Sequence, residues 1–272
     1  MSYVGEMFTL DGVRAVVTGG AGVLPRAMAS VLLRAGATVS VWGRGTHHPV
    51  ADAARELAEE TGAEGRVFAE TVDTADEAAV AAALDRTDST MGMPNLLING
   101  VGGNKGKSDF TDIDTKTFSD VVEMNLLAGL VIPSKVLAAR WKAGEVKASI
   151  INLASMTSFV PLSGVWAYNA AKSAVKNLTE GAARELAPLI RVNAIAPGFF
   201  IGYQNKALLV KNEATGELTD RGRAIINRTP FGRFGEMGDI EGATVFLASE
   251  RASGFITGVT LPVDGGYLTD NI

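Results

Sequence analysis

The sequence predicts an α/β chain: a doubly wound parallel sheet of seven strands, helices on both faces. Three observations carry this. Apolar runs that suit buried parallel strands alternate with amphipathic stretches along the whole chain. The first such run ends in a glycine-rich turn that opens a helix. At 272 residues and 47% hydrophobic content, the chain can bury one large core. One domain over 1–272 is expected, with a small substrate lobe in an excursion at about 199–233.

Strands are expected at Val13 to Thr18, Thr38 to Trp42, Arg66 to Ala69, Asn95 to Asn99, Ser149 to Ala154, Arg191 to Ala196 and Val259 to Pro262. Between them, helices are expected near 24–35, 50–61, 76–90, 115–142, 164–187 and 237–248. After Pro197-Gly198 the chain runs to about Arg233 without a strand, broken by Asn212, Gly216 and Thr229-Pro230. Such an excursion often covers a ligand.

The net charge of −5 is spread over mixed signs, so no basic stripe offers itself to nucleic acid or an anionic membrane. With no cysteine, disulfides and thiolate chemistry are excluded. Met1 to Leu10 carries Glu6 and does not read as a secretion signal, and no run approaches eighteen apolar residues. A cytoplasmic enzyme is the expectation.

Lys172 follows Tyr168 by four residues, which puts phenol and ammonium on one helix face. A neighbouring cation favours phenolate, so the Tyr168 pKa is expected to fall below its ordinary value near 10. Ser155, thirteen residues earlier, ends an apolar run and falls at the sheet's carboxyl edge, where ligands bind. Alone, the pair also reads as an ordinary exposed helix pair.

The first strand runs into Thr18-Gly19-Gly20-Ala21-Gly22-Val23-Leu24-Pro25, whose free backbone donors and helix dipole suit a pyrophosphate. The alternative is a tight turn that binds nothing.

On these motifs the chain resembles the short-chain dehydrogenase/reductase family, over essentially its whole length. The resemblance implies a seven-stranded Rossmann sheet and an NAD(P)-dependent oxidoreductase. Thr18 and Gly19 match the family's Thr-Gly-x-x-x-Gly-x-Gly, whereas Val23 and Pro25 stand at its second and third glycines. Gly22, Val23 and Leu24 complete the implied phosphate cradle. Asp73 and Thr74 stand where the family fixes adenine; Asn99 and Gly100 where it has Asn-Asn-Ala-Gly; Pro197 and Gly198 where it lines the nicotinamide. Asn125, Ser155, Tyr168 and Lys172 match the catalytic tetrad, although the glycine usually three residues after the asparagine is Ala128, with Gly129 following.

The resemblance implies that Tyr168 exchanges the substrate oxygen's proton and Lys172 stabilises the phenolate and holds the nicotinamide ribose. Ser155 would hydrogen-bond the substrate oxygen, and Asn125 would hold a water that relays protons. It further implies a homotetramer or homodimer, packed through the long helices 115–142 and 164–187, where Ala170, Ala171 and Ala174 allow close approach.

Val41-Trp42-Gly43-Arg44 ends the second strand without the acidic residue that grips an NAD ribose, and Arg44 is the type that pairs a 2′-phosphate. NADP is therefore favoured over NAD. Adjacent His47 and His48 bring no third ligand at metal spacing and read as a loop; no metal is expected.

On the substrate side, Asn104, Lys105, Met156, Trp166, Phe200, Gln204 and Asn205 are the candidates: amides and a cation for hydroxyls or a carboxylate, Trp166 for a sugar face. Any of them could instead be exposed or packed at a subunit contact. Gly102-Gly103-Asn104, Phe199-Phe200, Gln204-Asn205 and Thr229-Pro230-Phe231-Gly232-Arg233 resemble the D-mannonate oxidoreductase (fructuronate reductase) branch, despite a shorter 104–118 segment and Gly202 where threonine is common. A sugar acid or polyol-like keto compound is the implied substrate. Alternatives are a reductase of 3-oxoacyl or other hydrophobic ketones and a non-catalytic dinucleotide sensor.

Overall fold

In the computed structural model, which describes residues 2–202, 206–212 and 215–269, seven parallel strands form one sheet. In chain order the elements begin with α1 (Tyr3–Phe8), β1 (Arg14–Thr18), α2 (Val23–Arg34), β2 (Thr38–Gly43), α3 (Val50–Thr61), β3 (Val67–Thr71), α4 (Glu77–Met91) and β4 (Leu96–Asn99). Then come α5 (Thr115–Val122), α6 (Ile132–Ala143), β5 (Ala148–Leu153), α7 (Trp166–Leu186) and β6 (Ile190–Pro197). The excursion holds α8 (Lys206–Leu209), a ribbon of β7 (Val210–Asn212) and β8 (Glu217–Leu218), and α9 (Asp220–Asn227). α10 (Glu241–Ala248), α11 (Glu250–Ser253) and β9 (Thr260–Val263) follow.

The order β3-β2-β1-β4-β5-β6-β9 reverses direction between β1 and β4, and the crevice at that switch point is where open α/β sheets take ligands. Side chains alternate between the two faces with the strand period. Ala15 and Val17 join the core under α2, α3 and α10, while Val16 joins the core under α4, α6 and α7. The five inner strands β2, β1, β4, β5 and β6 are thus buried on both sides, which explains their near-continuous apolar runs, while the edge strands β3 and β9 are only partly buried.

The stretch expected as one helix at 115–142 is continuous but not uniform. Between α5 and α6, Glu123–Val131 adopts the wider π geometry. A wider turn carries each residue through a smaller angle, so the fourth residue after Asn125 faces where the third would in an α-helix. Gly129, not Ala128, therefore takes the close-contact position, where a Cβ would come within 2.5 Å of the Val101 carbonyl oxygen. This Thr115–Ala143 run has a window of mean hydropathy 1.6 and could cross a membrane by length and composition. Here it packs against α7, α4 and β4.

The excursion is tied back by a parallel bridge between Phe200 and Gly235 and by the Gly235 N–H bonded to the Phe199 carbonyl at 2.8 Å. Leu209, Ile225 and Phe234 form its own small core, with Phe199 and Ile201 against it. The short elements α1, α11 and the ribbon carry too little periodicity to be expected from sequence.

Candidate active site

Proton chemistry is concentrated at the carboxyl edge of β5. Ser155 lies two residues past the end of that strand and is buried; its Oγ accepts a hydrogen bond from the Thr157 N–H at 3.1 Å, and it lies close enough to the Tyr168 phenol to favour the ionised form. Tyr168 lies in the first turn of α7 and Lys172 one turn on, so the helix spacing brings them to one face as expected.

Their electrostatics differ from the expectation. The Lys172 ammonium donates to the Leu153 carbonyl at 2.7 Å and stands 5.7 Å from the centre of the Tyr168 ring. Burial holds the Lys172 pKa down to about 8. The Tyr168 phenol is raised above its ordinary value, chiefly by burial and partly offset by the Ser155 hydrogen bond. The lowered phenol read from the four-residue spacing is thus overturned: a shared helix face sets proximity, but desolvation outweighs the cation because the ammonium is turned to a strand carbonyl.

Asn125 is fully buried within the π segment, and its side chain closes a reciprocal pair with Gly103. Its Nδ2 donates to the Gly103 carbonyl at 2.7 Å and to the Val121 carbonyl at 2.8 Å, while its Oδ1 accepts the Gly103 N–H at 3.0 Å. Gly102 is the neighbour whose role the sequence did not reveal. A Cβ on it would come within 2.7 Å of Asn125 Oδ1 and 3.2 Å of Lys172 Nζ, so its bareness keeps open the space between these two groups.

Several of the residues expected to hold the cofactor lie at the switch point. Gly19 adopts φ 65°, which favours glycine, and Gly22 caps α2 with no side chain, leaving the first backbone N–H groups of the helix free. Val23 and Leu24 open that helix. Thr18 Oγ1 accepts the Gly100 N–H at 3.0 Å and fastens β1 to the turn after β4. Pro25 is buried in the first turn of α2, where no intrahelical bond is lost, and its ring fills the space beside Gly100, where a Cβ would meet it at 2.6 Å. Such bare, amide-lined backbone fits a dinucleotide pyrophosphate.

Asn99 donates to Ser134 Oγ and Asn152 Oδ1, both at 2.8 Å, which braces β4 against β5 behind the site. Gly198 bonds the Val263 carbonyl and passes Asp264 so closely that a Cβ would lie 2.7 Å from its Cα; Pro197 ends β6 just before it. Arg44, exposed, stands 3.9 Å from Asp73, whose carboxylate caps the turn at Ala75; Thr74 beside it is buried. His48 pairs with Glu56 at 3.3 Å.

The substrate-side expectations fare unevenly. Phe200 is a largely buried residue packed on Gly235, where a Cβ would come within 2.8 Å of its ring, and it also lines a cavity together with Phe199, Arg233 and Asp264. Lys105 faces Asp120 of α5 at 3.8 Å, and Asn104 donates to the Gly106 carbonyl at 2.8 Å. Trp166 is half-buried and already engaged, its Nε1 donating to the Ser108 carbonyl at 3.0 Å and its ring edge-on to Phe110. Met156 is buried beneath the turn after Ser155. Gln204 and Asn205 lie outside the described residues.

An enoyl-(acyl carrier protein) reductase family model matches residues 22–268. The chain is 34% identical to a 2-dehydro-3-deoxy-D-gluconate 5-dehydrogenase of Formosa agariphila, over 97% of this chain and 95% of that one. A protein from Haemophilus influenza provisionally assigned as a D-mannonate oxidoreductase, solved with bound NAD, superposes with a TM-score of 0.87 at 32% identity, covering 98% and 99% of the two chains. A gluconate 5-dehydrogenase from Burkholderia cenocepacia J2315, solved with NADP and tartrate, gives 0.85 at 30% identity, covering 98% and 99%. With the strand order, glycine turn and Ser-Tyr-Lys cluster in place, the chain belongs to the short-chain dehydrogenase/reductase family of NAD(P)-dependent oxidoreductases.

Proposed function

We propose that this chain is an oxidoreductase that interconverts a carbonyl and a secondary alcohol on a sugar acid or polyol-like keto compound, with NADP preferred over NAD. One observation carries the chemistry: Tyr168 stands beside buried Lys172, whose ammonium lies 5.7 Å from its ring centre, with Ser155 close to its phenol at the carboxyl edge of the sheet. The nicotinamide supplies or takes the hydride when bound. Tyr168 gives its proton to, or takes it from, the substrate oxygen, and Ser155 holds that oxygen. Lys172 restores the phenol's proton through the gap that Gly102 leaves beside Asn125. A sensor gains nothing from a lysine buried at this point, since burying an ammonium that has a carbonyl but no carboxylate against it costs stability.

Sugar acids are supported by the gluconate-type and mannonate-type relatives, and the NADP preference by Arg44 at the end of β2 with no acidic residue at Gly43. A cytoplasmic homotetramer is the accompanying proposal, favoured by exposed Leu127 and Leu178 on the two long helices. The test follows nicotinamide absorbance with each cofactor against keto sugar acids, neutral ketoses, 3-oxoacyl thioesters and plain ketones. Turnover confined to the thioesters or plain ketones would replace the sugar-acid reading, and no turnover with any of them would favour the sensor.

A further inference from the structure

We propose that Lys107 is the residue that recognises the substrate's carboxylate, a specificity role that rests on the sugar-acid reading above. A polyhydroxy acid needs a cation at the mouth of the cleft, because its carboxylate is the one group that separates it from a neutral ketose. The loop after β4 carries two lysines, Lys105 and Lys107, the second with its stem against Gly164 in the segment that enters α7.

Lys105 is committed. It faces Asp120 at 3.8 Å, and Lys116 binds the same carboxylate at 3.0 Å. On α7, Lys176 is paired with Glu180 at 2.6 Å, and Lys172 is bonded to the Leu153 carbonyl. Lys107 is exposed and makes no ion pair or hydrogen bond among the described residues. Its charge remains available to a ligand.

Its backbone, by contrast, is fixed relative to the catalytic helix. The next residue, Ser108, is tied twice to the segment entering α7: its N–H bonds the Gly164 carbonyl at 3.2 Å, and its own carbonyl accepts the Trp166 indole N–H at 3.0 Å. Phe110 closes the strap edge-on to the Trp166 ring at 5.3 Å. The stem of Lys107 lies over Gly164, where a Cβ would come within 3.6 Å of its own Cβ and 3.7 Å of its Cγ. Gly164 stands four residues before Tyr168. A free ammonium is therefore carried on a stem whose root is lashed to the helix that holds the proton donor. Such preorganisation lowers the cost of fixing an anion in register with the reacting carbon.

The test measures kcat/KM for a keto sugar acid and for the neutral ketose of matching chain length, in wild type, Lys107→Met and Lys107→Arg, with cofactor affinity as the check on folding. The acid-to-neutral ratio should fall about tenfold in Lys107→Met, recover in Lys107→Arg, and decline with added salt in the wild type. An unchanged ratio in a Lys107→Met protein that binds cofactor normally overturns the role of Lys107 and leaves the sugar-acid reading standing. A wild type that turns over neutral ketoses but no sugar acid overturns both.

Discussion

The Lys172 ammonium is held by the Leu153 carbonyl at 2.7 Å rather than by the Tyr168 oxygen, so the two partners of the catalytic pair meet ammonium to ring face, 5.7 Å apart. In the cofactor-free protein the phenol is accordingly raised above 10 by burial. Difference absorbance of tyrosinate during an alkaline titration should show one tyrosine ionising later than the others, and Tyr168→Phe should delete that late step. A step near neutral pH that disappears in the mutant would contradict the burial argument.

Lys172 titrates in the opposite sense. Its pKa is lowered from 10.5 to about 8, so between those values the unfolded chain holds a proton that the folded chain has lost. More protons on the unfolded state mean that stability rises with pH across this window. In Lys172→Met, denaturant unfolding from pH 8 to 10 should lose this upward component. An identical slope in wild type and mutant would place the buried proton elsewhere.

Removing the proton donor tests the chemistry. Tyr168→Phe keeps the ring that faces Lys172 and deletes the hydroxyl near Ser155. Turnover should fall by at least about a thousandfold, while cofactor affinity stays within about threefold. Substantial residual turnover would remove Tyr168 from the proton path.

Glycine contacts give two graded outcomes. Gly129→Ala sets a Cβ against the backbone oxygens of Val101 and Met124, at 2.5 and 3.0 Å, and backbone gives way less readily than a side chain. A stability loss of about 2 to 3 kcal/mol is expected by denaturant unfolding. Gly102→Ala meets side-chain atoms, Asn125 Oδ1 and Lys172 Nζ, which can give way. The fold should survive, and kcat should fall about ten- to a hundredfold with little change in cofactor affinity. Equal effects on stability from both substitutions would deny Gly102 a part in catalysis.

The sheet was legible because its inner strands are buried on both faces and read as apolar runs, and the Tyr168-Lys172 pair because helix spacing fixes which residues share a face. Orientation was not legible. Nothing in the spelling of Lys105 says that it faces Asp120, nor in that of Phe200 that its ring packs on Gly235, since partners remote in sequence decide. Nor does spacing reveal a wide helical turn, so the Ala128-Gly129 shift read as a departure when it is a consequence of geometry. The phenol's acidity failed for the same reason: it depends on burial, which a four-residue interval does not encode.

Pro25 stands where the family has glycine, and its ring fills the space beside Gly100 while its missing N–H falls in the first turn of α2, where no helix bond needs it. Two effects of Pro25→Gly therefore compete. The substitution returns one backbone donor beside the phosphate cradle, but it empties a packed position and loosens the unfolded chain. Packing should dominate: about 1 to 2 kcal/mol of stability is lost, seen as a lower Tm, with cofactor Kd changed by less than about threefold. A cofactor bound tenfold more tightly by Pro25→Gly would mean instead that the absent donor limits binding, and that the proline weakens the cradle it props open.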